Sequence, residues 1–340
     1  TTATSSATIL NLPVTNTTDM PDTYYATIQA AVNAADPGEV ITVCAGTYDE
    51  QVNVNKSLTI QGANAGIAGN GVRGTESIID GNNAAHSGFV ITAANVTIDG
   101  FKVQNCGNTI YESGIYTNST GTMIKNNILF NNEKGVYASN TGASTVQYNL
   151  FDGNNRPGAA GGISLYSFTS NALSVLNNEF KNQTINAAVL FDGGASHQNL
   201  TFNSNYLHTT DPNSSCVYVA NCTNAEFAFN HITSGKRGFK IAGGNNTVNI
   251  HNNIIVNAMQ ADIMVNTDFG ANTAIQAHKN SLTSYYTILN EDVTVLDATC
   301  NWFGSTTPAI IDNSNTETFT STVNYTPWMR SHIDTEPGTI

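Results

Sequence analysis

Charge is scarce in this sequence, and positive charge is scarcest. Lys and Arg together number 12 against 25 Asp and Glu, charged residues are 11% of the 340, and the formal net charge is −13. So few cations argue against binding nucleic acid or an anionic membrane, and they make an anionic polysaccharide less expected unless local cations or calcium hold it. With 8 prolines and no evident linker, the chain could be one elongated domain or two globular ones, and the continuous repeat described below favours one. No apolar run is long enough to span a membrane. The five cysteines, Cys44, Cys106, Cys216, Cys222 and Cys300, lack CxxC spacing. Cys216 and Cys222 could close a small loop in an oxidising compartment, and buried free thiols account for the others. The histidines His86, His197, His208, His231, His251, His278 and His332 are scattered without ligand spacing, so no metal or other cofactor is expected.

What is abundant is Asn, Thr, Ser and Gly, the residues of recurring turns and a neutral polar exterior. The Asn residues are not scattered. "TVNIHNNIIVNA" at Thr247–Ala258 places asparagines between isoleucines, and the pattern returns in "TMIKNNILFNN", "TVQYNLFDGNN", "LSVLNNEFKNQ" and four further segments. Each has an apolar residue, two spacers, Asn, one spacer and another apolar residue. The column is Asn127, Asn149, Asn178, Asn205, Asn230, Asn253, Asn280 and Asn301, spaced by 21 to 29 residues, the range of a solenoid. Asn tolerates the left-handed conformation of a sharp corner, and stacked side-chain amides can hydrogen-bond from rung to rung. The column is therefore expected to be a structural Asn ladder.

A second column precedes it: "GIYT", "GVYA", "GISL", "AVLF", "CVYV", "GFKI", "DIMV" and "YTIL". Alternation puts Ile115, Val136, Ile163, Val189, Val217, Phe239 and Ile263 inward. The outward row is then Val90, Tyr116, Tyr137, Ser164, Leu190, Tyr218, Lys240, Met264 and Ile288. The expected fold is all-β, a single-chain parallel β-helix of about ten rungs, or a rod near 50 Å long at ~4.8 Å per rung.

Near the start, "TIQAAVNAADPG" carries Ile28, Ala31 and Val32 at helical spacing before a stop, which predicts a helix over about 27–35 that caps the open apolar end. Strands follow at "EVITVC", "QVNVN" and "SLTIQG". Residues 1–22, with Ile9, Leu10, Leu12 and Val14, read as an arm that forms an extra edge strand or pairs with another molecule. Residues 23–330 form the β-helix, and 331–340 are a tail.

"TIQAAVNAADPGEVITVCAGTY" resembles the opening segment of right-handed parallel β-helix proteins of the pectin-lyase-like superfamily, in particular the NosD-like group with generic parallel β-helix repeats. "CNWFGSTTP" followed by "VNYTPWM" resembles their closing segment. The resemblance covers roughly residues 23 to 330. It implies the right-handed fold strongly and function weakly, since the superfamily holds lyases, hydrolases, epimerases, tailspikes and adhesins. It also implies that an active site would lie on the outward row, where a pectate-lyase-like centre needs acids for calcium with an Arg or Lys base, and a hydrolase needs paired carboxylates. Neither set is visible. The nearest approach is Asp192, Lys240 and Asp262, beside Lys236 and Arg237 of "SGKRGFK", with Tyr218 or Tyr137 as proton donor.

The preferred reading is a non-catalytic extracellular rod: a cell-surface, sheath, filament or adhesive component whose Tyr116, Tyr137, Ser164, Leu190 and Tyr218 face a glycan or another copy of the chain. Self-assembly would use the arm or the helix ends. The alternative is a polysaccharide lyase or epimerase, for which calcium enters as a cofactor. A tailspike-like trimer would want a longer tail than "RSHIDTEPGTI". A first residue other than Met suggests a processed secreted chain or a trimmed one. Ten Asn-x-Ser/Thr sequons, among them Asn95, Asn118, Asn199, Asn221 and Asn324, permit glycosylation, though this composition produces about that many by chance.

Overall fold

Three parallel sheets wind around one narrow apolar core. A computed structural model describes residues 12–304 and 323–329, apart from 85, 110, 111, 158–160, 192, 193, 195, 210, 212 and 285. Residues 1–11 of the arm, with Ile9 and Leu10, and the tail 331–340 lie outside the described residues. One turn shows the plan: Met123–Lys125 in sheet A, the Asn corner, Ile128–Phe130 in sheet B, a second corner, Lys134–Ala138 in sheet C, and a third corner back to sheet A. Sheets B and C each stack ten strands, and sheet A holds sixteen because the ends add to it and two short strands, Ser170–Asn171 and His197–Gln198, pair beside its main path.

The inward columns keep register from turn to turn. In sheet A, Ile124 pairs with Val146, then Val175, Phe202, Phe227, Ile250 and Ala277. Sheet B runs Leu129, Phe151, Phe180, Leu207, Ile232, Ile255, Leu282. All are buried. Aromatic rings in neighbouring turns meet within the core, as Phe151 and Phe180 do, stacked with centroids 4.5 Å apart.

The Asn ladder is present along its whole length. The Nδ2 of Asn127 donates to Oδ1 of Asn149 (3.1 Å), Asn149 to Asn178 (3.0 Å), Asn178 to Asn205 (3.0 Å), Asn205 to Asn230 (3.1 Å), Asn230 to Asn253 (2.9 Å), Asn253 to Asn280 (2.9 Å) and Asn280 to Asn301 (3.0 Å). The backbone N–H of each donates to the same oxygen, and each Nδ2 also reaches a core-strand carbonyl, as Asn149 does to Ile124 at 2.9 Å. The corner therefore leaves no amide idle, as its burial demands.

One expectation is corrected here. The left-handed residue is the one before each ladder member: Asn126, Tyr148, Asn177, Ser204, Phe229, Asn252, Lys279 and Cys300, at φ between 54 and 60. The bend falls one residue early so that the following amide can point into the stack. At Tyr148 and Phe229 a bulky side chain occupies this strained region, and both rings are 43% exposed.

Two shorter ladders fill the other corners. At the B–C corner, Cys106 N–H donates to Asn132 Oδ1 (3.0 Å), and Asn132 Nδ2 donates to Asn154 Oδ1 (3.0 Å). At the C–A corner the run is Cys222, Asn245, Asn272 and Asp292. Cysteine thus opens both short ladders. Cys216 and Cys222 do not close a loop: both thiols are free and buried, donating to the carbonyls of Ser234 (2.7 Å) and Ala220 (3.5 Å) respectively.

The helix spans Ile28–Ala34 and buries Ile28, Ala31 and Val32. Its first N–H groups are satisfied by Thr27 Oγ1 and both carboxylate oxygens of Glu50, and Lys56 Nζ takes the carbonyls of Val32, Asn33 and Ala35 at the other end. The described part of the arm forms an antiparallel strand, Val14–Asn16, between Thr23–Tyr25 and Val40–Val43. A strap over residues 62–76 crosses the Asn corner, tied by Gly69 N–H to the Tyr148 carbonyl (2.8 Å) and by Arg73 to the Asn126 carbonyl (2.7 Å). Only glycine fits at 69, because a Cβ there would collide with the Asn127 carbonyl and Leu150 nitrogen. Among the described residues, no helix is long and apolar enough to cross a membrane.

Candidate functional site

The outer face of sheet C carries one side chain per turn in register: Val90, Tyr116, Tyr137, Tyr166, Leu190, Tyr218, Lys240, Met264 and Leu289. Two expected members are displaced. Ser164 is not in the row but buried, donating to Gln183 Oε1 at 2.9 Å, because Lys134 pairs with Ile163 and Val136 with Leu165. The connection before this strand is longer than in the two neighbouring turns, and Leu165 rather than Ile163 continues the inward column. Ile288 faces the core against Ile263, and Leu289 takes the outer place.

Substituting Tyr166 for Ser164 makes the aromatic part of the row continuous. Tyr116 and Tyr137 meet edge to face with centroids 5.3 Å apart, and Tyr137 and Tyr166 at 4.9 Å. The middle of this row is sealed, since Tyr137 and Tyr166 are 5% and 8% exposed, while Tyr116, Leu190 and Tyr218 remain half-buried.

Beside Tyr137 lies a pair that the sequence reading missed. Glu133 and Lys134 are both fully enclosed, with Nζ 3.0 Å from Oε1 and 6.0 Å from the Tyr137 ring centroid. Glu133 Oε2 has no hydrogen-bond partner. Burial pulls the Lys134 pKa down against the opposing pull of Glu133. The available signal was "NNEKGVYA", where an adjacent Glu and Lys immediately precede the row; Ser215 and Ser113 hold the equivalent approach in other turns.

The other end of the row is cationic. Lys240 Nζ sits 5.0 Å from the Tyr218 ring centroid and 2.6 Å from Asp268 Oδ2. Asp268 Oδ1 accepts from Asn266 Nδ2 at 2.8 Å. Partial burial works against the Asp268 charge, but the bonds from Lys240 and Asn266 outweigh it and hold the carboxyl below its ordinary range. Lys240's partner is therefore Asp268, not the expected Asp262. Asp262 occupies an inward position opposite Gly238, is fully buried, and accepts from Ser284 N–H at 3.1 Å while Oδ1 has no partner. Burial drives its pKa well above the usual carboxylate range. Asp192 lies outside the described residues. Arg237, the first residue of Lys240's strand Arg237–Ile241, is half-buried with Nε enclosed and unpartnered; burial lowers its pKa against the attraction of Glu291 and Asp268.

Among the described residues, no group of three or more His, Cys, Asp or Glu side chains could hold a metal ion. The histidine–carboxylate contacts among the described residues are pairwise and lie on sheet A, His251 with Glu226 at 2.9 Å and His278 with Asp297 at 3.6 Å.

Residues 48–207 match the family described as the right handed beta helix region. No curated protein matches the chain in sequence. Among solved structures, the alginate lyase from Paenibacillus sp. str. FPU-7 is similar at 12% identity and a TM-score of 0.51, over 77% of this chain and 94% of that one. The DFA-IIIase from Arthrobacter chlorophenolicus A6 without its lid is similar at 14% identity and a TM-score of 0.51, over 88% and 92%. PfbA, a surface adhesin of Streptococcus pneumoniae, follows at 12% identity and a TM-score of 0.39, over 81% and 82%. At such identities the likeness concerns the fold alone. With its three parallel sheets, its Asn-lined corner and the match over residues 48–207, the chain has the fold of a right-handed parallel β-helix.

Proposed function

We propose that the protein is a non-catalytic extracellular rod, a cell-surface or adhesive component, that contacts glycans along the outer face of sheet C. The observation that carries this reading is the state of the ionisable groups on that face. Lys240 is bonded to Asp268, Glu133 and Lys134 are enclosed, and Asp262 lies inside the core. A general base must reach the proton it abstracts, and none of these is placed to do so. What the face offers a ligand is half-buried apolar and aromatic surface at Tyr116, Leu190 and Tyr218, suited to the faces of sugar rings. The edge strand Thr23–Tyr25, at the end of sheet A, supports attachment to further copies through the amino-terminal end.

One observation favours the rival reading, a polysaccharide lyase or epimerase. Lys134, its pKa lowered by burial, stands beside Tyr137 as a base beside a proton donor would. Affinity electrophoresis through gels containing a panel of neutral and acidic polysaccharides, with parallel assays for new reducing ends, separates the two. Retarded migration without cleavage, weakened by Tyr218→Ala, is the expected result. Cleavage that disappears in Lys134→Met or Lys240→Ala would replace the binding role with the enzymatic one.

A further inference from the structure

With 47 asparagines and 28 glycines in the chain, chance would set Asn before Gly about four times, and it happens once, at Asn70–Gly71. The pair matters because glycine, lacking a Cβ, lets its backbone nitrogen approach the side chain of the asparagine before it. Both residues are exposed, at the tip of the strap over residues 62–76. The ladder asparagines differ on both counts: they are buried, and each is followed by a residue with a side chain.

Asn70 is also the hook of the strap. Its Nδ2 donates to Glu179 Oε2 at 3.1 Å, 109 residues further along the chain. Ile128, Leu150 and Glu179 follow one another in a single outer column of sheet B, so the hook lies one turn beyond Leu150. That leucine is covered, and the strap's Gly69 lies against its backbone nitrogen. The base of the strap has separate ties: Gly66 N–H donates to Asp99 Oδ1 at 3.0 Å, and Arg73 forks onto both oxygens of Glu76 and onto the carbonyls of Ile67 and Asn126. Losing the hook therefore frees the tip and leaves the base in place.

We propose that Asn70 is a site of spontaneous deamidation and that its conversion releases the tip of the strap from sheet B. The Gly71 nitrogen attacks Asn70 Cγ, the bond from Cγ to Nδ2 breaks, and Nδ2 leaves as ammonia carrying the Gly71 proton. A five-membered succinimide remains, and water opens it at one carbonyl or the other to give aspartate or isoaspartate. One water is consumed, one ammonia is released, and no oxidant or cofactor takes part. In the folded turn the Gly71 N–H donates to the Ala68 carbonyl at 2.9 Å, so attack waits for local opening of the tip and is paced by it. The product cannot restore the hook, because a carboxylate has no hydrogen to give Glu179 and repels it. The change runs one way.

The test is incubation of the full chain at pH 6 and at pH 9, with peptide mapping and isoaspartate-specific enzymatic methylation at intervals. Asn70 is expected to convert before any other asparagine, and faster at pH 9 because the attacking nitrogen must lose its proton. Gly71→Ala should slow the conversion, since a Cβ crowds the approach, and Asn70→Gln should prevent it while keeping an amide at the hook. Release is read separately by hydrogen exchange of the strap amides. They should exchange about fivefold faster in Asn70→Asp than in the parent chain, and within about twofold of it in Asn70→Gln. An Asn70 that keeps its amide throughout, or converts only after other asparagines, overturns the site. Strap exchange in Asn70→Asp at the parent rate overturns the release.

Discussion

The Asn corner and the outer face of sheet C are built from the same turns, yet they solve opposite problems. At the corner one residue type repeats from Asn127 to Asn301 and every amide has its partners. On the face, no two neighbours beyond the tyrosines are alike, and enclosed atoms of Glu133, Arg237, Gln260 and Asn266 lack partners. The corner spends its polar groups on the fold, while the face keeps some in reserve. Repetition with full satisfaction marks structure, and variety with incomplete satisfaction marks where a ligand or partner acts.

The largest expected effect falls on the face, at the enclosed ion pair. Lys134→Met strands Glu133 without its cation and should cost about 3 to 5 kcal/mol in urea unfolding, whereas the Glu133→Gln, Lys134→Met double variant should regain most of it. Little recovery in the double variant would mean that the pair stabilises the fold as the corner does, and would erase the contrast. Next comes the corner itself: Asn178→Ala removes the acceptor used by both the N–H and the Nδ2 of Asn149, and should cost about 3 kcal/mol by the same measurement.

Asp262 sharpens the comparison through pH. Its folded-state pKa is raised, so the stability tied to its protonated form is complete below the ordinary carboxylate range and is lost as pH rises toward the folded value. Asp262→Asn should therefore raise the melting temperature more at pH 8 than at pH 4, and an equal change at both would dismiss burial as the cause. The smallest effect is backbone strain. Phe229→Asn replaces a bulky left-handed residue by one that tolerates the conformation and should stabilise by about 1 kcal/mol in thermal melts; a loss would show that the exposed ring contributes packing after all.

The core columns and the Asn ladder were legible in the sequence because each is sampled eight times and any error in one turn is outvoted by the rest. The outer row is read from single turns, so it fails where a connection changes length. Before Ile163 the longer loop shifts the strand by two residues, which hid Tyr166 and promoted Ser164. At Ile288 the last turn shifts by one. The Lys240–Asp268 bond was out of reach because Asp268 sits on the turn after the following strand, 28 residues on, a distance that no local pattern marks. Glu133 and Lys134 look like an ordinary solvated pair, and only the loops folded over them make them buried.

The ladder also has a direction. Each Asn hands its amide hydrogens forward to the next, Asn127 Oδ1 receives the Phe101 N–H at the start, and Asn301, the last, turns its amide back to the carbonyls of Ala277 and Ala298. It behaves as a zip with one kind of tooth, in which any tooth can follow any other. Removing one complete turn rejoins a hydrogen giver to an equivalent oxygen, and removing a fraction of a turn does not. The length of such a protein is consequently countable: related chains can differ by whole turns, each ~4.8 Å of rod, with the corner unaware of the change.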